Sequence, residues 1–429
     1  MPEHQFQAET LAIHAGQTPD SATGARALPI YQTTSFVFDS TEHAASLFNL
    51  QTFGNVYSRL SNPTVAALEE RVAALEAGRA ALASASGMAS EAMALMTILQ
   101  QGDHVVAAGA LYGGSVSMLA VNLARFGIET SFVDATQPEA FAAAMRPNTR
   151  AVFAESLGNP SLIMLDIAAV AEVAHAYGVP LVIDNTVPSP FLCNPLRLGA
   201  DIVVHSATKY LGGHGTTLAG VLVEGGKFPW DNGKFPGMTE PSKGYHGVKF
   251  YETFGDFGFT MRARMETLRV YGAALSPMSA WQILQGTETL HVRMERHCSN
   301  ALKVAEFLQN DPRISWVNYP GLPEHPQHAL VKKQMRQIDG VAGASGLLAF
   351  GVKGGLSAGV RFIEAAQFLS HLANIGDTRT LIIHPASTTH RQLDAEQQVA
   401  AGVLPDMVRM SVGIEHIDDI LWDIDQALG

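Results

Sequence analysis

The sequence predicts an α/β protein in which a large, mostly parallel sheet domain follows an extended N-terminal arm and precedes a smaller α+β domain. Three observations carry this. Short β-branched runs alternate with helical segments after residue 102, the chain of 429 residues exceeds one typical domain, and the last third mixes strands and helices without alternation. A hydrophobic content of 47% is enough to build large cores.

Charge and cysteine usage narrow the function classes. Net charge is −12, from 28 Lys plus Arg against 40 Asp plus Glu, and no basic run is present, so nucleic acid is not an expected partner. Cys193 and Cys298 have no paired spacing, which argues against a disulfide framework or thiolate metal site and fits a reducing cytoplasm. The start, Met1-Pro2-Glu3-His4-Gln5-Phe6, lacks a basic segment leading into an apolar one, and no long apolar run follows; neither export nor a membrane partner is expected.

Residues 1–60 show little amphipathic periodicity and many Thr, Ser, Gln and aromatic residues, predicting an extended arm able to pack on a partner subunit. The arm ends in Tyr57-Ser58-Arg59-Leu60-Ser61-Asn62-Pro63-Thr64, where Asn62-Pro63 or Thr64 can cap a helix over 65–76. Tyr57 and Arg59 share one side of an extended segment; the arginine suits an anion, and equally an ordinary surface ion pair. Next, Ala83-Ser84-Ala85-Ser86-Gly87-Met88 opens a helix over 89–99, whose small first residues let backbone N–H groups approach a phosphate, or simply cap the helix.

Strands are predicted at 104–108, 130–133, 151–155, 180–184 and 202–205, with helices such as 167–177 between them. Right-handed crossovers then place Tyr112, Glu155, Asn159, Asp184, Ser206, Thr208 and Lys209 on one sheet edge. Residues 225–256, heavy in Gly, Pro and aromatics, interrupt the pattern and predict a functional loop or lid, with a solvated excursion as the alternative. Helices resume at 259–271 and 287–310. Strands at 315–319, 346–352 and 408–412 with helices at 356–369 and 417–428 complete the chain. The organisation is an arm (1–60), a sheet domain (61–285) and a C-terminal α+β domain (286–429).

The chemistry concentrates at Val203-Val204-His205-Ser206-Ala207-Thr208-Lys209-Tyr210, where a strand ends in two hydroxyls flanking a lysine and glycines follow. Asp184 ends an apolar strand about 25 residues upstream. That pair is what pyridoxal phosphate chemistry requires: an amine to condense with the aldehyde and a carboxylate to keep the pyridine nitrogen protonated. Gly87, Met88, Ser206, Thr208 and Arg59 can serve the phosphate, and Tyr112 can cover the ring. His205, His214 and His390 match no metal spacing and read as packing or supporting residues; no metal is expected. A nicotinamide oxidoreductase lacks support because no Gly-x-Gly-x-x-Gly follows the first strand.

These residues carry a resemblance. The chain resembles the γ-subfamily of fold-type I pyridoxal phosphate enzymes, the Cys/Met metabolism group, in Tyr57-Ser58-Arg59, Ser86-Gly87-Met88, Tyr112-Gly113-Gly114, Asn159-Pro160, Asp184-Asn185-Thr186, Ser206-Ala207-Thr208-Lys209-Tyr210, the segment 384–390 and Arg409-Met410-Ser411-Val412-Gly413-Ile414-Glu415. The resemblance implies a fold-type I transferase with a seven-stranded sheet, Lys209 bonded to the cofactor, Asp184 at its pyridine nitrogen, Tyr112 on its ring, and Ser86, Gly87, Met88, Ser206 and Thr208 at its phosphate. It also implies that Tyr57 and Arg59 reach the phosphate of a neighbouring subunit, that Arg409 with Asn159 and Ser387 holds a substrate α-carboxylate, and that the assembly is a homotetramer. Within the group, Glu155-Ser156-Leu157-Gly158-Asn159-Pro160, Gly244-Tyr245-His246-Gly247 and Asn374-Ile375-Gly376-Asp377 resemble members that exchange the acetate of O-acetylhomoserine for sulfide or methanethiol. Lysine, tyrosine and tyrosine at 209, 112 and 57 are the candidates for proton transfer. O-succinylhomoserine sulfhydrylation, cystathionine γ-synthesis and γ-elimination are the alternatives; methionine γ-lyases carry cysteine where this chain has Gly114.

Overall fold

The computed structural model describes residues 5–389, 391, 398 and 402–429. Seven strands form the larger sheet: β1 (Ala80–Ser84), β2 (His104–Ala108), β3 (Glu129–Val133), β4 (Thr149–Glu155), β5 (Leu181–Asp184), β6 (Ile202–Ser206) and β7 (Gly220–Glu224), in the order β1-β7-β6-β5-β4-β2-β3. Only β7 runs against its neighbours. The central strands are apolar without alternation because both faces are covered; Val152, Phe153, Val182, Ile183, Val203 and Val204 are wholly buried. Parallel direction brings the carboxyl ends of β4, β5 and β6, at Glu155, Asp184 and Ser206, to one edge.

The sequence pattern predicts β2 to β6 and passes over β1 and β7. Ala80-Ala81-Leu82-Ala83-Ser84 has a helix-forming composition, yet it is a strand because it pairs with β7 along its whole length. The helix predicted from 259 to 271 is broken by a π-helical segment at Ala263–Leu268.

The arm contains two helices, Ala8–His14 and Thr41–Phe48, where no periodicity predicts them. Arg71 explains the first. Its wholly buried guanidinium donates to the carbonyls of Ala12 (3.0 Å) and Ala15 (2.8 Å), capping the helix end and docking the start of the arm on its own chain. Further on the arm stands open: Val37 is 97% exposed and Phe53 73%.

Residues 225–256 do not form a lid over the strand ends. Phe228, Trp230, Phe235 and Met238 are buried, with Trp230 stacked on Phe259 at 5.4 Å. Lys234 Nζ and Asn232 Nδ2 donate to the carbonyls of Tyr177 (2.7 Å) and Gly178 (3.0 Å), just before β5 begins. The segment therefore closes the edge opposite the site, and burial of its aromatics is the physical reason.

The smaller sheet comprises β8 (Ile314–Asn318), β11 (Leu347–Val352), β12 (Ser370–His371), β13 (Leu381–Ile383) and β14 (Met407–Ser411), ordered β12-β13-β14-β11-β8; between β8 and β11 lies a hairpin of β9 (Gln337–Ile338) and β10 (Val341–Ala342). Helix Leu356–Ala365 packs on it, and helix Ile417–Leu428 packs on that helix. The helix Leu290–Gln309 ties the two sheets together: Arg293 donates to Tyr210 O (2.7 Å), just past β6, while Asn300 donates to Gly413 O (3.0 Å), just past β14. Among the described residues no helix is long and apolar enough to cross a membrane.

Candidate active site

The turn after β6 is tightly clipped. Thr208 Oγ1 donates to Ala219 O (3.2 Å) and accepts from Ala219 N (3.0 Å), fixing the backbone so that Lys209 extends into a cavity at the strand ends. Its Nζ donates to Asn374 Oδ1 at 2.5 Å. Burial, with the positive charge of Arg409 adding to it, lowers the Lys209 pKa to about 8.

Three carboxylates line the same cavity. Asp184 closes β5 and accepts from Thr186 N at 2.7 Å. Glu155 closes β4 and accepts from the backbone N–H of Tyr112 through one oxygen and of Asn159 (3.1 Å) through the other, so it binds together the two loops that carry those residues. Burial, followed by the Asp184 charge, raises the Glu155 pKa well above the usual range. The third, Glu91, projects from the helix Gly87–Met96, four residues after Gly87 and so on the same face.

Arg409 projects from β14. It donates to Asn159 Oδ1 and to Asn374 O, both at 3.0 Å, yet its buried Nε has no partner and no carboxylate pairs with it among the described residues. Burial lowers its pKa to about 10. An uncompensated buried guanidinium is a binding site for an anion.

The remaining wall is built for close approach. Ser86 caps its helix by accepting from Ala89 N (3.2 Å), and a Cβ at Gly87 would stand 2.6 Å from Ser206 Cβ, so only glycine lets this helix start reach the end of β6. A Cβ at Gly114 would meet the Tyr112 ring at 2.5 Å; glycine there lets the ring lie across Gly114 at the cavity mouth.

Ser86, Gly87, Met88, Tyr112, Asn159, Asp184, Ser206, Thr208, Lys209 and Arg409 thus come together. Three predicted residues do not join them in this chain. Tyr57 and Arg59 are exposed and contact each other, the guanidinium 5.2 Å from the ring centre. Ser387 Oγ bonds to His384, at 3.0 Å from Nδ1, and Thr389 lines the cavity instead. His205 pairs with buried Glu76 (2.7 Å), and His214 Nδ1 bonds to Gly212 O (2.6 Å); His390 lies outside the described residues. Glu91 is an addition that the sequence does not single out, and Asn374, known there only as the start of Asn374-Ile375-Gly376-Asp377, gains its place at Lys209 Nζ. A carboxylate on the apolar face of an Ala/Met-rich helix is the signal that marks Glu91.

The site residues fit pyridoxal phosphate: an amine of lowered pKa faces a carboxylate, a glycine helix start adjoins two hydroxyls, and a buried guanidinium awaits an anion. The chain belongs to the Cys/Met metabolism PLP-dependent enzyme family, whose model matches residues 9–429, and its cofactor is pyridoxal 5'-phosphate. It is 55% identical to the O-acetyl-L-homoserine sulfhydrylase of Leptospira meyeri, covering 100% of this chain and 98% of that one. Identity is 51% to O-acetyl-L-homoserine sulfhydrylase 1 of Thermus thermophilus, over 98% of this chain and 99% of that one. The solved O-acetylhomoserine (thiol)-lyase of Campylobacter jejuni, which carries an N'-pyridoxyl-lysine-5'-monophosphate residue, superposes with a TM-score of 0.95 at 39% identity, covering 99% of this chain and 100% of that one.

Proposed function

We propose that the enzyme catalyses pyridoxal phosphate-dependent γ-replacement on O-acetyl-L-homoserine, releasing acetate from Cγ and bonding sulfide there to give homocysteine, or methanethiol to give methionine. The observation that carries this reading is Lys209 Nζ held in one cavity with the Asp184 carboxylate and the unpaired Arg409 guanidinium. The full-length likeness to two O-acetyl-L-homoserine sulfhydrylases supports the substrate.

When bound, pyridoxal phosphate supplies an electron sink for negative charge left at the substrate Cα. Asp184 would hold its pyridine nitrogen, Ser86, Gly87, Met88, Ser206 and Thr208 its phosphate, and Tyr112 its ring face. Arg409 and Asn159 would hold the substrate α-carboxylate, with the free Arg409 Nε giving a bond that the protein leaves open. Lys209 Nζ, with its pKa near 8, is suited to take and return the Cα proton near neutral pH. Tyr112 stands at the mouth as a second proton carrier or as a positioning surface.

Tyr57 and Arg59 enter the reading through assembly. Exposed apolar residues of the arm, Val37, Phe53 and Tyr57 among them, offer a surface for a second copy, whose phosphate site Arg59 and Tyr57 would complete. A dimer is the least assembly and a homotetramer of two dimers the family expectation; the setting is cytoplasmic. The division into arm, sheet domain and C-terminal domain at 60 and 285 belongs to the same reading.

The test is a substrate matrix. Purified enzyme is given O-acetyl- or O-succinylhomoserine with sulfide, methanethiol or cysteine, and released acid and thioether products are quantified. Acetate release with homocysteine or methionine is expected; preference for the succinyl ester, or for cysteine, overturns the assignment.

A further inference from the structure

Two cations, Lys209 and Arg409, face three carboxylates in one cavity: Asp184, Glu155 and Glu91. Buried charges are costly unless compensated, so which carboxyl holds a proton is a structural question. Glu155 answers for itself. Both of its oxygens accept backbone N–H bonds, which oppose the upward push of burial and of the Asp184 charge on its pKa. Glu91 is built differently. It is 2% exposed, its Oε2 has no hydrogen-bond partner among the described residues, and no backbone N–H reaches it. Its neighbours are Asp184 and Ser115, and the buried Ser115 Oγ is also without a partner.

An ionised Glu91 would therefore be a buried anion beside a second anion, with the Ser115 hydroxyl as its one neighbouring donor among the described residues. A neutral Glu91 has an O–H to donate to the Asp184 carboxylate and a carbonyl oxygen to accept from Ser115. We propose that Glu91 is a positioning residue, a neutral carboxylic acid that donates a hydrogen bond to the Asp184 carboxylate and so holds it aimed at the cofactor's pyridine nitrogen. Burial first, then the Asp184 charge, raises the Glu91 pKa well above the carboxylate range, in agreement with the geometry. Ser115 follows Tyr112-Gly113-Gly114 directly, so the chain Ser115, Glu91, Asp184 links the ring-covering loop to the ring nitrogen. The inference rests on the reading that Asp184 meets that nitrogen.

Glutamine separates the possibilities, because its amide donates and accepts like a neutral acid and carries no charge. Apo forms of the parent, Glu91→Gln and Glu91→Leu are reconstituted with pyridoxal phosphate. The dissociation constant and the pH midpoint of the visible absorption band are then measured, alongside thermal unfolding of the apo-proteins. Glu91→Gln is expected to match the parent within about twofold in affinity and to keep its midpoint. Glu91→Leu, which removes the donor to a charged group, is expected to weaken cofactor binding by about tenfold and to move the midpoint. A Gln variant that shifts the midpoint would overturn the inference even if the Leu variant does not fold, because it would mean that Glu91 acts as an anion. A folded Leu variant with parental affinity and midpoint would overturn it too. Failure of the parent itself to take up the cofactor would instead overturn the underlying reading of Lys209 and Asp184.

Discussion

Lys209 and Asn374, 165 residues apart, meet through an Nζ–Oδ1 hydrogen bond of 2.5 Å, and the backbone carbonyl of the same asparagine accepts from Arg409 at 3.0 Å. Asn374 thereby spaces the two cations of the site. It supplies dipoles rather than charge, leaving burial and Arg409 free to lower the lysine pKa to about 8. Only the neutral amine attacks an aldehyde, so pyridoxal phosphate capture by the apo-protein is expected to accelerate as pH rises through about 8 and then level off. Asn374→Asp places an anion beside the ammonium, favours the charged form and should move that midpoint upward, as stopped-flow absorbance would read. An unchanged or lowered midpoint would contradict this account.

Lys209→Ala should abolish turnover and covalent retention of the cofactor after borohydride treatment while the fold persists. Circular dichroism with mass spectrometry checks both. Full activity in this variant would sink the mechanism.

Arg409→Lys keeps one positive charge but loses the fork that can bind a carboxylate while also holding Asn159 and Asn374. The expected outcome is about a tenfold or larger rise in KM for O-acetylhomoserine, with cofactor content unchanged. Steady-state kinetics and absorbance of the purified holoenzyme decide it.

Beneath the strand ends, buried Glu76 accepts from Asn185 Nδ2 (2.8 Å) and pairs with His205 Nε2 (2.7 Å), residues adjoining Asp184 and Ser206. Glu76→Ala leaves His205 without a hydrogen-bond partner, while Asn185 Nδ2 keeps the Cys193 carbonyl at 2.9 Å, and should destabilise the protein by about 3 kcal/mol, measured by denaturant unfolding. A loss below about 1 kcal/mol would show that the network is dispensable.

His297, wholly buried against Tyr210 and bonded through Nδ1 to Val412 O at 2.7 Å, has its pKa pushed down to about 4 by burial. Its folded pKa lies below the unfolded one, so the unfolded chain binds the extra proton. The stability contribution is present above about pH 6.5 and is lost as pH falls toward 4. Between pH 7 and 5 the loss should be about 2 kcal/mol, and His297→Asn should remove that part of the pH dependence. Equal slopes in the two proteins would refute it.

The strands β2 to β6 are readable in the amino-acid order because strands covered on both faces must be apolar throughout, and the chemistry at their ends must be polar. Lys209, Asp184 and Tyr112 stand out for the same reason, whereas Arg409 enters only through the family resemblance. Each of those three is a polar side chain at the end of an apolar strand or at the turn that follows one. The sequence by itself therefore determined the α/β class, the family and the edge on which the chemistry sits. Tertiary structure alone decided what depends on pairing across long separations. Ala80–Ser84 became a strand through β7, Ala8–His14 became a helix end gripped by Arg71, and the aromatics of 225–256 were drawn to the far edge. It also brought Asn374 to Lys209 and buried Glu91 beside Asp184. Local propensity cannot encode such contacts, because their free energy exists only once the two partners have been buried together.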